Sequence, residues 1–438
     1  MATRKKAKQK TEPLPIAVIG GGPAGMTAAR TAVESYKRVI VFDKNPVPGK
    51  KLASITSQPI KICRKSPPGE TARAFGTKSE FILPALKTYG WKEISSSIKK
   101  TGLSVSLDGA SSIVIPHDDS SLFSIRSKES AESAGVTVKK SSRVTDLEIS
   151  EGRVKGIVVN GVTIPVSAVI IASGSYSSPK RGSTKDGYEL AQKAGHQIIP
   201  IKPAMVGLET VEQYGKILAD VHVRDCRIDV FVDDTVEFSD RGQLTFTRYG
   251  LEGEVILNHA ADIIELMRTG KVRIQIDLMP DYTKAKIENL MGAGLDGSDR
   301  TTVWEILTRY IPDGMLDVLH KMIRIHSRKP AINLSTLERK LLAVWLKDFT
   351  LTVKKPRPFN ETRGVVGGVA LDDIDPETMR SRKIENLYFA GAVLDLLGPW
   401  GGYNIGMAFS TGHLAGLSAA ADARRTTRKR SPKSAGAR

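Results

Sequence analysis

Ile16-Ala-Val-Ile-Gly-Gly-Gly-Pro-Ala-Gly25, followed 14 residues later by Val39-Ile-Val-Phe-Asp43, decides the fold. It reads as a buried strand, a glycine turn, a helix and a second strand ending in an acid. Gly20 permits the tight turn, Gly22 lets a pyrophosphate approach the backbone, and Gly25 lets the helix pack closely on the strand. Pro23 and Ala24 open the helix, whose first N–H groups and positive dipole end face the phosphates. Asp43 stands where a carboxylate can bind ribose hydroxyls. The basic start followed by Leu14–Met26 resembles a signal peptide. The glycine turn inside it and the acid-ended strand beyond it favour a first core strand.

Further along, Ala168-Val-Ile-Ile-Ala-Ser-Gly-Ser175 is an apolar run suited to a strand buried on both faces, ending in Ala172-Ser173-Gly174. Asn386-Leu-Tyr-Phe-Ala-Gly391 is a third such strand, and Gly401-Gly-Tyr-Asn404 then opens a helix rich in Ala and Gly. One glycine turn would serve an NAD-only dehydrogenase. FAD is longer, so a second strand end must meet it and a second helix N-terminus can face the flavin. Three separated segments in this order therefore imply FAD. No second full glycine fingerprint occurs, so NAD(P)H is expected only as a transient electron donor.

The 438 residues suffice for two or three domains, and no apolar run reaches the ~20 residues that span a bilayer. Cys63 and Cys226 cannot build a disulfide framework, and the seven histidines lack metal-ligand spacing; a reducing cytoplasm and no metal are expected. The net charge of +18 is uneven: residues 1–11 hold five basic residues and no acid, residues 423–438 hold seven and no acid. Such tails can meet nucleic acid or acidic lipid. They lack aromatic groups to stack bases and read as solvated, disordered termini.

Between the tails, residues 44–80 are polar and Pro-containing, with helix expected at Glu80–Tyr89 and Ser120–Ala134. A hairpin turns at Asn160-Gly161. Residues 200–278 are strand-like, with separate strands at Val236–Phe238 and Gln243–Thr247. Residues 283–347 are helical: Pro312 fits a first helical turn, and Ser335-Thr-Leu-Glu338 is a capping box.

At this point the chain resembles the BaiN-like, or aminoacetone-oxidase-like, FAD-binding flavoproteins. The resemblance runs from about Ile16 to Ala420 and is carried by Gly182-Ser-Thr-Lys-Asp-Gly-Tyr188, Phe246-Thr-Arg-Tyr-Gly-Leu-Glu-Gly253, Gly367-Gly-Val369, Leu387-Tyr-Phe-Ala-Gly391, Leu394-Asp395 and Gly401-Gly-Tyr-Asn404. It implies an α/β fold: a discontinuous Rossmann-like FAD-binding domain with an inserted β-barrel-like domain and a helical subdomain. The boundaries expected are a basic tail at 1–13, FAD-binding domain at 14–199 and 360–421, β-rich insert at 200–282 and 348–359, helical subdomain at 283–347, and a second tail at 422–438. It further implies that Lys44, Lys51, Leu52, Val144, Asp395, Gly402, Tyr403, Asn404 and Ile405 join Gly20, Gly22, Pro23, Ala24, Gly25, Asp43, Ala172, Ser173, Gly174 and Gly391 around FAD.

The chain also departs from the family. Gly49-Lys-Lys-Leu52 is kept, but the glycine-rich segment ending Arg-Cys-Asn is replaced by Ala53–Arg64. A usual Glu is Ala392, a usual His is Arg248, and Gly406-Met407 stands for Gln-Trp. The activity implied is flavin-dependent oxidoreduction of a small organic substrate, as ene or carbonyl reduction or amine oxidation. Tyr249 is the candidate proton donor and Arg248 the candidate carboxylate or carbonyl holder. The rival readings are a tRNA-modifying flavoenzyme and a non-catalytic flavin-binding protein. Cys63 reads as a buried inert thiol and His117 as an ordinary loop histidine.

Overall fold

A computed structural model describes residues 12–54, 59–109, 111–212, 214–293, 301–326 and 328–430. It divides into two units, Met1–Lys202 with Val365–Arg438, and Pro203–Gly364.

The first unit is built on a five-stranded parallel sheet in the order Leu387–Phe389, Ala168–Ile171, Ile16–Ile19, Val39–Phe42, Thr137–Lys139. Strands Ile16–Ile19 and Ala168–Ile171 are buried along their whole length, as continuous apolar runs at a sheet centre must be. The register sets Ile19 beside both Phe42 and Ile171, so the glycine turn, Asp43 and Ala172 leave the sheet at one edge. Ligands of open α/β sheets bind at such carboxyl ends. A separate antiparallel sheet, Val144–Ser150, Arg153–Val159 and Val162–Pro165, turns at Asn160 (φ 50°) and Gly161 (φ 80°), the left-handed pair a tight hairpin demands.

The polar stretch after Asp43 is more ordered than its composition suggests. It holds helices Lys50–Ala53 and Pro68–Arg73 and the strand Ile60–Arg64. That strand pairs with Ser112–Ile115, about fifty residues away, so its cause is non-local. Ile55–Gln58, within the segment that departs from the family pattern, lie outside the described residues.

The C-terminal helix is longer than its sequence suggests. Helix Tyr403–Arg430 runs past Asp422, near which its end was expected. Asp422 accepts a hydrogen bond from the Tyr388 hydroxyl and Ala423 is buried in the core, so the chain is still packed where the tail was expected to begin. Residues 1–11 and 431–438 of the expected tails lie outside the described residues.

The second unit is a closed six-stranded antiparallel barrel, in the order Leu208–Thr210, Gly250–Glu252, Thr235–Thr247, His222–Val232, Val272–Asp277, Phe349–Pro356. The two strands expected at 236–238 and 243–247 form one strand, Thr235–Thr247, continuous through Gly242. Helices Asp313–Ile323 and Thr336–Lys347 bury Leu316, Val318, Leu342 and Leu346 in the same cluster as barrel residues Ile228, Ile274 and Leu351. The helical segment therefore shares the barrel's core. Pro312 caps its helix instead of entering the first turn, while Ser335 and Glu338 form the expected capping box.

Candidate functional site

Gly20 holds φ 107° and donates its N–H to the Phe42 carbonyl at 2.8 Å. A side chain there would meet the Ala172 backbone, and one at Gly25 would run into the Gly20 carbonyl. These glycines weld turn, helix and sheet. Gly22 differs: φ is −79° and a Cβ would meet nothing within 4 Å. Gly174, at φ 75°, also faces open space. Both positions border room that a phosphate could fill. Pro23, Ala24 and Gly25 form the first turn of helix Pro23–Val33.

Asp43 is buried. Its Oδ2 accepts the Gly21 N–H at 2.8 Å, and Oδ1 accepts the Asn45 N–H at 2.8 Å and its side-chain amide at 3.1 Å. The carboxylate thus braces the glycine turn, and one lone-pair direction of Oδ2 remains for a ribose hydroxyl.

Lys51 extends from helix Lys50–Ala53, whose leading Gly49 packs against the Gly21 carbonyl. Its ammonium bonds Ser177, in the turn after strand Ala168–Ile171. Among the described residues no carboxylate lies within ion-pair distance. Burial, and then Arg181, push its pKa down to about 8. A buried ammonium without a counter-ion is costly unless an anion joins it. Lys44 bonds Thr184 and lies 3.9 Å from Asp186; burial, the largest influence, lowers its pKa too. Leu52 is buried against Ile62 and Cys63. Ser173 Oγ is buried with no hydrogen-bond partner. Val144 is a core residue at the start of its strand.

The third strand end brings Gly391 against Ala24, with φ 73° and its N–H on Thr411 Oγ1 at 2.9 Å. Asp395 pairs with Lys78 at 2.8 Å and accepts the Gly367 N–H at 2.9 Å. Gly401 and Gly402 both lie at positive φ ahead of helix Tyr403–Arg430, and a Cβ on Gly402 would touch the Cys63 backbone at 3.0 Å. Tyr403 meets Phe75 edge-on at 6.3 Å and carries Arg64 over its face at 5.5 Å. Ile405 packs on the Cys63 cluster. The cavity between this helix start and strand Ile60–Arg64 is about 20 Å3, room for a single water.

The Asn404 side chain is engaged with the loop that precedes its helix. Its oxygen accepts the Gly398 N–H at 2.8 Å and its amide donates to the Gly398 and Pro399 carbonyls. The side chain clamps that loop, leaving the Asn404 backbone N–H as what it offers a cofactor. Cys63 is buried and its thiol is pushed up to about 12, fitting an inert group. His117 is exposed beside Asp118 at 3.3 Å. No cluster of metal-ligating side chains occurs among the described residues.

Arg248 and Tyr249 lie in the second unit, at the turn between strands Thr235–Thr247 and Gly250–Glu252. The Tyr249 ring is exposed, with the Arg357 guanidinium 4.0 Å above its face. Arg357 is fixed by Glu209 and Glu361. Sequence reading did not single out Arg357 or Arg181; isolated arginines leave no local signature.

The first unit therefore gathers the three strand ends, two glycine-led helix starts, an acid, and a lysine short of an anion. Open space at Gly22 and Gly174 and the uncompensated Lys51 fit the pyrophosphate of FAD. A family model described as HI0933-like protein Rossmann domain matches residues 14–418. A 3-dehydro-bile acid delta(4,6)-reductase of Clostridium scindens is 27% identical over 92% of this chain and 98% of its own length. A ribosomal RNA dihydrouridine synthase of Escherichia coli is 24% identical over 90% of this chain and 95% of its own. The solved 3-ketosteroid-delta4-(5alpha)-dehydrogenase of Rhodococcus jostii RHA1 covers 95% of this chain and 99% of its own at TM-score 0.51; at 15% identity it speaks to the fold alone. No helix among the described residues is long and apolar enough to cross a membrane. With a family model matched from the first strand to the C-terminal helix, the chain belongs to the HI0933-like Rossmann family and is an FAD-dependent oxidoreductase.

Proposed function

We propose that the chain reduces a carbon–carbon double bond conjugated to a carbonyl, drawing hydride from NADH or NADPH. The observation that carries this reading is a shared chemistry: bile acid delta(4,6)-reduction and dihydrouridine formation both saturate such a bond. Bound FAD would accept and pass on the hydride. The reaction balances as one hydride to the β-carbon and one proton to the α-carbon, with NAD(P)H oxidised. The protein must hold the cofactor and deliver that proton. Holding falls to the backbone N–H groups of Gly22, Ala24 and Gly25, to Asp43 and to Lys51. For the proton we assign the exposed phenol of Tyr249, in place of an imidazole, with Arg248 beside it to orient a carbonyl.

An anaerobic experiment in two halves tests this. NADH or NADPH should bleach the flavin absorbance, and a 4-en-3-one steroid or 2-cyclohexenone should restore it. Tyr249→Phe should leave bleaching unchanged and slow restoration roughly a hundredfold, within the usual span for a lost general acid. Restoration by oxygen alone would sink the reading. A second reading places the same double bond in a uracil held by RNA. Trp91, with Lys65 and Lys92 each 5.8 Å over its ring, is the kind of cationic aromatic surface that supports it. Restoration by uridine-containing RNA, and by neither enone, would favour that reading.

Lys51 adds a pH signature. Its folded pKa is depressed, so in the cofactor-free protein it is charged below about pH 8 and loses the proton above it. A phosphate beside it would raise that pKa, making binding take up a proton above pH 8. FAD affinity should be flat below pH 8 and fall by up to about tenfold per unit above it. Fluorescence titration of apoprotein checks this, and Lys51→Met should bind more weakly at pH 7 with the alkaline slope gone.

A further inference from the structure

Helix Thr336–Lys347 buries Leu342, Ala343, Trp345 and Leu346, yet its opposite side is also apolar. Leu337, Leu341 and Val344 follow at spacings of four and three, the repeat of one helix face, and are 66%, 43% and 46% exposed. Met322, 46% exposed, joins the stripe's flank, since the Trp345 indole N–H points at its sulfur at 3.0 Å. Scattered exposed leucines need no explanation; a helix-periodic stripe of them does.

The charge around the stripe is one-sided. Residues 318–347 contain seven Lys and Arg and a single acid, Glu338. Two of the seven are paired, Lys347 with Asp277 and Lys329 with Glu338. Glu338 adds no free negative charge, because its carboxylate is bound by Lys329 and by the Ser335 N–H. Asp313 and Asp317 lie further back on the helix that ends beside Met322. Lys321, Arg324, Arg328 and Lys340 are exposed and have no carboxylate within ion-pair distance among the described residues.

We propose that this face is a docking surface for an anionic lipid bilayer, with Leu337, Leu341, Val344 and Met322 entering the acyl boundary and the surrounding cations meeting the headgroups. An apolar ridge with a cationic border is the pattern of a helix lying in a membrane interface. A second copy fits worse, because two-fold pairing would set this cationic border against itself. A bilayer receives exposed apolar side chains without a matching groove. An oxidoreductase so docked would draw apolar, membrane-dissolved substrates from the lipid.

The test is flotation of the full chain with vesicles of phosphatidylcholine alone or mixed equally with phosphatidylglycerol. The basic tails will contribute to binding, so the comparison is between variants that all carry them. Leu337→Glu/Leu341→Glu should weaken binding to the mixed vesicles roughly tenfold or more, since each leucine loses its apolar transfer. Arg324→Glu/Lys340→Glu keeps the stripe and should weaken binding with a reduced salt dependence, which guards against misfolding of the leucine pair. Unchanged binding in both variants would assign attachment to the tails and overturn the proposal. So would a solution dimer that the leucine variants dissolve while vesicle binding stays the same.

Discussion

Gly22→Val should yield a folded protein that holds no flavin. At Gly22 the backbone is extended, at φ −79° and ψ −175°, which valine adopts without strain, and the new Cβ meets nothing within 4 Å. The stability cost is the poorer helix N-cap, about 1 kcal/mol. The valine methyls would occupy the space over the helix start through which a pyrophosphate must approach its N–H groups. Losing those contacts should weaken FAD binding by more than about a hundredfold, equivalent to some 2.7 kcal/mol. Melting of the apoprotein and FAD titration separate the two effects. Stoichiometric flavin in the purified variant would remove the glycine turn from the cofactor site. Gly25→Ala gives the contrast: its Cβ would run into the Gly20 carbonyl, and the protein should not fold.

The contrast between Gly22 and Gly25 also shows what was legible in the sequence. Both glycines stand out because their roles are local: a turn, a helix start and a strand within ten residues. The three strand ends were legible for the same reason, as short buried runs that stop at glycine. Strand Ile60–Arg64 was not, because its partner Ser112–Ile115 lies far along the chain and the intervening composition is polar. The helices of 283–347 were readable as helices, but an amphipathic face does not say which surface it meets; here it meets the barrel. The C-terminal helix was cut short because its charge resembles a disordered tail, and the Tyr388–Asp422 contact that steadies it joins residues 34 apart. Lys51 was expected at the cofactor from resemblance. Its lack of a counter-ion among the described residues, the physical reason to place it there, exists only in three dimensions.

The ends of the chain are joined by one seam, and it supplies the second large effect. Helices Pro23–Val33 and Tyr403–Arg430 meet through small residues: a Cβ on Gly412 would lie 2.9 Å from Ala24 Cα, and one on Gly416 2.9 Å from Ala28 Cα. Backbones this close leave no room for a side chain, and both contacts are buried. Gly412→Leu must push the helices apart, at a cost of about 3 kcal/mol or more. That is a large share of the roughly 5–15 kcal/mol by which a domain is stable. Ala24 directly precedes Gly25, so the same displacement reaches the glycine turn, and flavin should be lost together with stability. Leu417→Ala, one residue beyond Gly416 on the exposed side, is the control and should change stability by less than about 0.5 kcal/mol. Thermal melting with and without added FAD reads both variants. If Gly412→Leu melts as the parent does, the two helices cannot approach as closely as these contacts require, and the C-terminal segment loses its claim to be part of the cofactor-binding fold.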